Sequence, residues 1–224
     1  MSGVLNGHVL SRAELIDEAV AWRVTAEHVL GAGSFTALLR DSVTAPDGET
    51  LQREYLRHPG AVGIIAIDGD GRVALVRQYR HPVRHRLIEP PAGLLDVDGE
   101  GYLLAAQREL AEEVGLAADS WQVLVDLFTT PGIIAEGLRI YLARELHPAD
   151  APDGFVKSGE EAELELSWAA LPDLVDAVLA GDLHNPTTVS GVLAAWAAHL
   201  KGDDFASLRP AEAPWPARTA LLRT

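Results

Sequence analysis

Three glutamates near the middle of the chain, Glu109, Glu112 and Glu113, have the spacing of a carboxylate cluster that could bind a metal ion. In a helix, residues three and four positions apart lie on one face. Like charges this close repel each other unless a cation joins them. Carboxylate oxygens are ligands that Mg²⁺ and Mn²⁺ prefer, so the cluster indicates a site for one of these ions. The alternative is a solvated acidic helix face, because glutamate is a common helix residue.

The segment that carries these glutamates is predicted to be a helix over residues 103–114. Gly115 follows it and suits the left-handed residue that ends many helices. We expect Ala105 and Ala106, one turn before the glutamates, to leave space beside the carboxylates. The opposite face is expected to be buried and consists of Leu103, Gln107, Leu110, Ala111 and Val114.

The rest of the chain alternates between strand patterns and helix patterns. Strands are expected at residues 24–30, 35–43, 51–56, 61–67, 73–79, 86–89, 121–128, 138–144 and 163–168. Helices are expected at 171–180 and 187–199, and a further one at 11–20, where Ser11 and Glu14 resemble a capping box. This order predicts an α/β protein with a mixed β-sheet sandwiched between helices and antiparallel strands at the N-terminus.

Composition limits the classes of partner and the cellular location. The chain has 224 residues and a formal net charge of −15, which disfavours nucleic acid and anionic membranes as partners. It contains no cysteine, so disulfides and thiolate chemistry are excluded. The first 20 residues lack the pattern of a signal peptide, and no apolar run is long enough to span a membrane. We therefore expect a cytoplasmic protein.

One longer motif changes how the glutamates are interpreted. The stretch from Glu100 to Leu116 fits the second part of the Nudix box, G-x5-E-x7-R-E-U-x-E-E-x-G-U, where U is aliphatic. Six residues separate Gly93 from Glu100 where the box has five, and the extra residue falls in a turn-forming stretch. The chain therefore resembles the Nudix hydrolases, and the resemblance implies the Nudix fold.

The resemblance also implies roles for individual residues. Glu109 and Glu113 match the main metal ligands, with the carbonyl of Ala92 as a further ligand. Glu112 matches a position that is both an additional ligand and catalytic. Arg108 and Glu100 are expected to brace the loop and not to touch substrate. The implied cofactor is Mg²⁺ or Mn²⁺.

Features outside the box resemble the ADP-ribose pyrophosphatase subfamily. Pro131 lies 16 residues after Gly115, and a QYR segment ends at Arg80. Arg80 and Arg84 belong to an arginine-rich stretch that is predicted to bind phosphate, although scattered surface arginines are the alternative.

The same resemblance indicates where the rest of the substrate binds. Arg53 and Phe35 match positions near the adenosine-binding end, and Glu136 is a further candidate contact. Ile133 and Ile134 replace residues that are often polar in relatives, which leaves room for a different specificity.

A general base outside the box is expected in the loop of residues 150–162, where the relatives carry one. Glu160 and Glu161 end this loop, and Glu161 aligns with the base of the relatives. The alternative is that both are ordinary loop carboxylates.

These features predict three regions and one reaction. Residues 1–56 are expected to form an arm and strands for dimerisation and substrate contacts, 57–200 the Nudix domain, and 201–224 a loosely attached tail. The predicted reaction is hydrolysis of ADP-ribose to AMP and ribose 5-phosphate by a homodimer. Alternatives are a hydrolase of another sugar nucleotide, such as GDP-mannose, or a sensor that binds ADP-ribose without cleaving it. The sensor is disfavoured because all the box glutamates are present.

Overall fold

A computed structural model describes residues 7–150 and 164–221 of the chain. The strands are β1 (Arg23–Ala32), β2 (Ala37–Thr44), β3 (Thr50–Arg57), β4 (Ala61–Ala66), β5 (Arg72–Arg80), β6 (His85–Glu89), β7 (Ala92–Leu94), β8 (Leu116–Phe128), β9 (Ile134–Ala135), β10 (Gly137–Pro148), β11 (Ser167–Ala170) and β12 (Arg209–Pro210). The helices are α1 (Tyr102–Val114), α2 (Leu171–Ala180), α3 (Pro186–His199) and α4 (Pro216–Leu221). Within the described ranges, no helix combines the length and apolarity needed to cross a membrane.

The strands form one central sheet and two smaller ones. The central sheet has the order β12-β8-β10-β4-β7 and is mixed, because β10 and β4 run parallel while the other pairs run antiparallel. A second sheet has the order β1-β2-β3-β9, and a third the order β11-β5-β6. The antiparallel strands predicted at the N-terminus are therefore present as β1, β2 and β3.

Helices cover both faces of the central sheet. Side chains alternate along a strand, so Val62 and Ile64 of β4 pack on the side of Leu110 in α1. Ile65 points to the other side and packs with Val192 of α3. These five side chains are fully buried, and the predicted sandwich of a mixed sheet between helices is confirmed.

The helix α1 begins one residue before the predicted start, and its buried face matches the prediction only in part, at Leu110 and at the half-buried Leu103 and Val114. It ends at Gly115, whose φ of 66° is the left-handed conformation expected there. Ala105, Ala106 and Leu110 are fully buried, whereas Gln107 is exposed. The expectation that the two alanines leave space beside the carboxylates is wrong. Their small side chains instead pack in the buried cluster that contains Val62 and Ile64 of β4.

Two further local predictions differ from the structure. Residues 11–20 contain a turn at 12–14 and no helix, although the Ser11 N–H donates to Glu14 Oε2 at 2.8 Å, as in half of a capping box. All ten residues are exposed, so there is no buried face to stabilise a helix. The strand expected at 163–168 is found at Ser167–Ala170, paired with β5.

The segment from residue 201 is packed against the domain, contrary to the expectation of a loosely attached tail. Arg139, which is 1% exposed, donates to Asp126 and to the carbonyl of Ala213 in this segment. Arg209 donates to the same aspartate at 2.7 Å. Trp215 stacks on Phe128 with ring centroids 6.0 Å apart. Polar and aromatic contacts therefore hold the segment in place.

Candidate active site

A cavity of about 680 Å³ opens between α1, the central sheet and the β5-β6 hairpin. Its walls carry the helix carboxylates Glu109, Glu112 and Glu113 beside Ala92. Arg80 and Glu136 line the same cavity. Phe35, another predicted contact, also lines this cavity, so the structure brings together residues that are far apart in the sequence and were predicted to have separate roles.

Arg108 organises the acidic side of the cavity. Its Nε and Nη2 atoms each donate to Glu100 at 3.0 Å, and Nη1 donates to Glu109 at 2.7 Å and to Glu112 at 3.0 Å. These hydrogen bonds, that with Glu100 foremost, raise the pKa of Arg108 above its ordinary value, so the side chain stays charged. The bracing role predicted for Arg108 and Glu100 agrees with this geometry, and the acidic face of α1 is not freely solvated.

The backbone of β7 lies directly against the helix glutamates. The Ala92 N–H donates to Oε2 of Glu113 at 3.0 Å, and Glu113 is 6% exposed. A Cβ atom at Gly93 would lie 2.5 Å from Cγ of Glu109, so only glycine fits there without displacing the carboxylate. The first glycine of the motif therefore permits the close approach of strand and helix.

The donor set at this place suits a hard divalent ion. Three carboxylates, those of Glu100, Glu109 and Glu112, contact the Arg108 guanidinium, and that of Glu113 accepts from the Ala92 N–H. All candidate ligands are oxygens, which favours Mg²⁺ or Mn²⁺ over softer metals. In the described part of the chain, no three His, Asp or Glu side chains are already gathered as metal ligands. The acids are instead held by Arg108 and by the Ala92 N–H.

Arg80 enters the cavity from the β5-β6 hairpin. Its guanidinium donates to both carboxylate oxygens of Glu89, with Nε at 3.0 Å and Nη2 at 2.6 Å. The Glu89 side chain is 3% exposed and that of Arg80 is 39% exposed. Gln78, buried on the same strand, also lines the cavity. Glu89 therefore fixes the direction in which Arg80 points.

A second polar group in the cavity consists of His58, Thr129 and Glu136, which we call the His58–Glu136 group. Thr129 Oγ1 donates a short hydrogen bond to Glu136 Oε2. Oε1 of the same glutamate lies 3.4 Å from Nδ1 of His58. Nδ1 also accepts a hydrogen bond from the Gly60 N–H at 3.0 Å, which requires the neutral ring with its proton on Nε2. Phe35 packs edge-on against His58, with centroids 5.8 Å apart.

Burial governs the protonation of His58. Burial lowers the pKa of His58 below its ordinary value, and the positive charge of Arg218 acts in the same direction. The carboxylate of Glu136 raises the pKa of His58, but its effect is smaller than that of burial. The ring is therefore neutral near pH 7, in agreement with the hydrogen bond that Nδ1 accepts.

Two predicted substrate contacts lie elsewhere in this chain. Arg84 is exposed in the turn after β5, with φ of 55°, and does not line the cavity of α1. Arg53 lines a separate cavity of about 310 Å³, together with Ile133 and Ile134. Ile133 and Ile134, where a different specificity was expected, therefore line the cavity of Arg53 and not the cavity of the helix carboxylates.

The cavity is also lined by polar residues that the sequence did not predict as site residues. His58, Thr129, Glu89 and Asn185 all line the cavity without having been predicted as site residues. Asn185 was detectable as the N-cap of α3, where it accepts from the Thr188 N–H at 3.0 Å.

Glu160 and Glu161, the predicted base candidates, lie outside the described residues.

Comparison with known proteins identifies the class to which this fold and site belong. Residues 57–187 match the NUDIX domain, so the chain belongs to the Nudix hydrolase family, as its motif indicated. It is 43% identical over 190 residues to the ADP-ribose pyrophosphatase of Mycobacterium tuberculosis, which covers 85% of this chain and 89% of that protein.

Two further likenesses extend the comparison. The methanol dehydrogenase activator of Bacillus methanolicus is 32% identical over 161 residues, covering 72% of this chain and 85% of that protein. A crystal structure of an ADP compounds hydrolase superposes with a TM-score of 0.67 at 23% identity, covering 85% of this chain and 100% of the solved one. The last likeness shows the fold alone, which is that of the family.

Proposed function

We propose that the protein hydrolyses the diphosphate bond of a nucleoside diphosphate sugar, with ADP-ribose as its substrate and AMP and ribose 5-phosphate as products. The observation that carries the proposal is one cavity that joins the Nudix glutamates to an arginine and to the His58–Glu136 group. The 43% identical relative, which is named an ADP-ribose pyrophosphatase, supports this choice of substrate.

A divalent ion, Mg²⁺ or Mn²⁺, is proposed as the cofactor. Glu109 and Glu113 are its proposed ligands, with the carbonyl of Ala92, and Glu112 is an additional ligand that also takes part in catalysis. When bound, such an ion neutralises phosphate oxygens and activates water. Arg108 holds Glu109 and Glu112 near one another, which offsets part of their repulsion before an ion binds.

The other cavity residues are proposed to bind the two ends of the substrate. Arg80, aimed by Glu89, presents a guanidinium that can pair with the diphosphate by charge-assisted hydrogen bonds. Glu136 presents carboxylate oxygens that can accept from sugar hydroxyls, and Phe35 offers an exposed ring for stacking. Arg53 and Arg84 do not line the cavity of the helix carboxylates in this chain. Their proposed contacts with substrate therefore require a second subunit or a loop closure that brings them to that cavity.

Glu161 is proposed as the general base, on the resemblance of its loop to that of the relatives. The box glutamates are occupied by metal in this scheme, so a carboxylate from another segment is needed to deprotonate water.

Assembly as a homodimer is proposed from the surface of the N-terminal sheet. The edge strand β1 has ten residues, and its only pairing within the described residues is with β2. Val24, Val29 and Leu30 are between 41% and 59% exposed along it, and Trp22, just before the strand, is 44% exposed. A long apolar edge of this kind invites pairing with another chain. The cytoplasmic location expected from the sequence stays a prediction.

A substrate panel tests the proposed function. The purified protein is incubated in the presence of Mg²⁺ with one substrate at a time: ADP-ribose, GDP-mannose, UDP-glucose or NADH. The products of each reaction are separated by chromatography. The proposal requires AMP and ribose 5-phosphate from ADP-ribose at the highest kcat/KM of the panel. A higher kcat/KM for GDP-mannose would establish the alternative hydrolase. Tight ADP-ribose binding without turnover at any metal concentration would establish the sensor.

A further inference from the structure

Arg218, in the short helix α4, lies next to the His58–Glu136 group without lining the cavity itself. It is 4% exposed, although arginine is rarely buried in proteins. Its Nη2 donates to the carbonyl of Pro59, and its Nη1 donates to the carbonyl of Gly137 at 3.5 Å. These carbonyls belong to the residues that directly follow His58 and Glu136. One guanidinium therefore joins the two backbone segments that carry the facing pair.

Two glycines make room for this guanidinium. Gly60 has φ of +96°, and a Cβ atom there would lie 2.6 Å from Cζ of Arg218. A Cβ atom at Gly137 would lie 3.0 Å from Nη1 of Arg218 and 2.9 Å from the Trp215 ring. A larger residue at either position would have to displace the arginine.

Arg218 donates to two backbone carbonyls, but not every donor of its guanidinium is satisfied. Its Nε is buried and has no hydrogen-bond partner among the residues that the structure describes. A buried donor without a partner costs free energy, so a simple packing role would be better served by an apolar side chain. Its Cζ also lies 5.7 Å from the ring centroid of Tyr102, the first residue of α1.

We infer that Arg218 is a positioning residue that fixes the separation and orientation of His58 and Glu136, and so sets the affinity of the cavity for the nucleotide sugar. The inference rests on the proposed function for its substrate, because the affected step is binding of the group that contacts Glu136. The helix carboxylates lie on another wall and keep their contacts with Arg108. Loss of Arg218 should therefore raise KM and leave kcat nearly unchanged.

The charge of Arg218 supplies a readout that does not depend on turnover. It lowers the pKa of His58, whereas Glu136 raises it and burial is the largest influence. Replacing Arg218 by an uncharged residue should raise the pKa of His58, as followed by the NMR titration of its ring protons. Arg218→Lys should keep the wild-type titration.

The experiment compares Arg218→Met and Arg218→Lys with the matched control Arg209→Met. Arg209 also anchors the C-terminal segment, through Asp126, but contacts neither His58 nor Glu136 in the described residues. Steady-state kinetics are measured with ADP-ribose, and AMP binding is measured by calorimetry in chelator. Arg218→Met should raise KM and the Kd for AMP about 10-fold, equivalent to roughly 1.4 kcal/mol, with kcat within about threefold. Arg218→Lys should recover part of the loss.

Three results would overturn the inference: wild-type KM in folded Arg218→Met, an equal rise of KM in Arg209→Met, or a fall in kcat at constant KM. Where Arg218→Met does not fold, Gly137→Ala and Arg218→Lys apply the same test by displacing or shortening the guanidinium. If the wild-type protein hydrolyses no sugar nucleotide, the proposed function fails. AMP binding and the His58 titration then still decide whether Arg218 positions this pair.

Discussion

The substitution Glu113→Gln isolates the charge of one carboxylate in the proposed metal site. Glu113 is 6% exposed and its Oε2 accepts from the Ala92 N–H at 3.0 Å. The glutamine amide oxygen can accept the same hydrogen bond, so the contact between α1 and β7 is kept. Only the negative charge is removed, and the repulsion from Glu109 and Glu112 falls with it. We expect the melting temperature to change by no more than a few degrees.

The expected loss of metal affinity follows from the burial of this charge. Two unit charges about 4 Å apart interact by roughly 4 kcal/mol at an effective dielectric constant of about 20, and a divalent ion doubles this. Desolvation of the ion and the remaining ligands offset most of that energy. If a quarter survives, the loss is about 2 kcal/mol, or roughly 30-fold in the Kd for the ion. The kcat/KM at limiting Mg²⁺ should fall by at least the same factor.

The assay is a Mg²⁺ titration of ADP-ribose hydrolysis, with AMP converted to phosphate and measured colorimetrically. Metal binding is measured separately by calorimetry with Mn²⁺. Glu112→Gln is the matched control, and its effect should be smaller because Glu112 is half-buried and paired with Arg108 at 3.0 Å. Full turnover of the wild-type protein in excess chelator would refute the reasoning, as would a folded Glu113→Gln protein with wild-type metal affinity.

Three further outcomes follow from the site and its surroundings. Arg80→Ala should raise KM for ADP-ribose about 10-fold or more, because a charge-assisted contact contributes roughly 1.5–3 kcal/mol. Arg84→Ala, at an exposed position, should leave KM unchanged. Equal effects of the two substitutions on KM would contradict the assignment of phosphate binding to Arg80. Glu161→Gln should lower kcat by about 10²–10⁴ while calorimetric metal binding stays unchanged, and an active Glu161→Gln beside an inactive Glu160→Gln would move the base by one residue. Light scattering should give the mass of a dimer, and the double substitution Val24→Asp and Val29→Asp should give a monomer; a wild-type monomer at working concentration contradicts the assembly proposed here.

The part of the site that sequence predicted well is local in the chain. Glu109, Glu112 and Glu113 share a helix face through spacing alone, and Arg108 lies within reach of the same acids. The residue types predicted the helix to within one residue of its observed start at Tyr102, and they predicted the glycine with positive φ that ends it. These predictions needed no knowledge of which segments meet in space.

The contacts that sequence missed join distant segments. His58 and Glu136 face each other only because β4 and β10 run parallel and side by side, so that Ala61 pairs with Leu138. The proline-rich C-terminal segment gave no local sign that Arg218 would be buried between Pro59 and Gly137. Conversely, residues 11–20 carry a helix-start signal that is wrong, because they bury no face. These features depend on which distant segments pack together in the folded protein, and the propensities of single residues carry no information about that packing.

The burial of His58 makes the free energy of unfolding depend on pH, and the direction of this dependence follows from the pKa of the ring. In the unfolded chain the ring takes up a proton near its ordinary pKa of 6.5, whereas burial, with Arg218, lowers the pKa in the folded protein. Below pH 6.5 the unfolded state therefore binds more protons than the folded state, and the free energy of unfolding falls as pH falls. This contribution is complete above 6.5 and is lost as the pH drops toward the lowered pKa of the folded state.

The measurement is the urea midpoint at pH 7.5 and at pH 5.5, compared between the wild type, His58→Gln and the exposed-site control His28→Gln. Glutamine at position 58 can still contact Glu136 and the Gly60 N–H but does not titrate, so the drop in midpoint on acidification should be smaller than in the wild type. His28 lies exposed on β1, and its replacement should leave the wild-type drop intact. If His58→Gln loses as much stability between the two pH values as the wild type does, the ring is charged in the folded protein, and Nδ1 donates to Glu136 instead of accepting from Gly60.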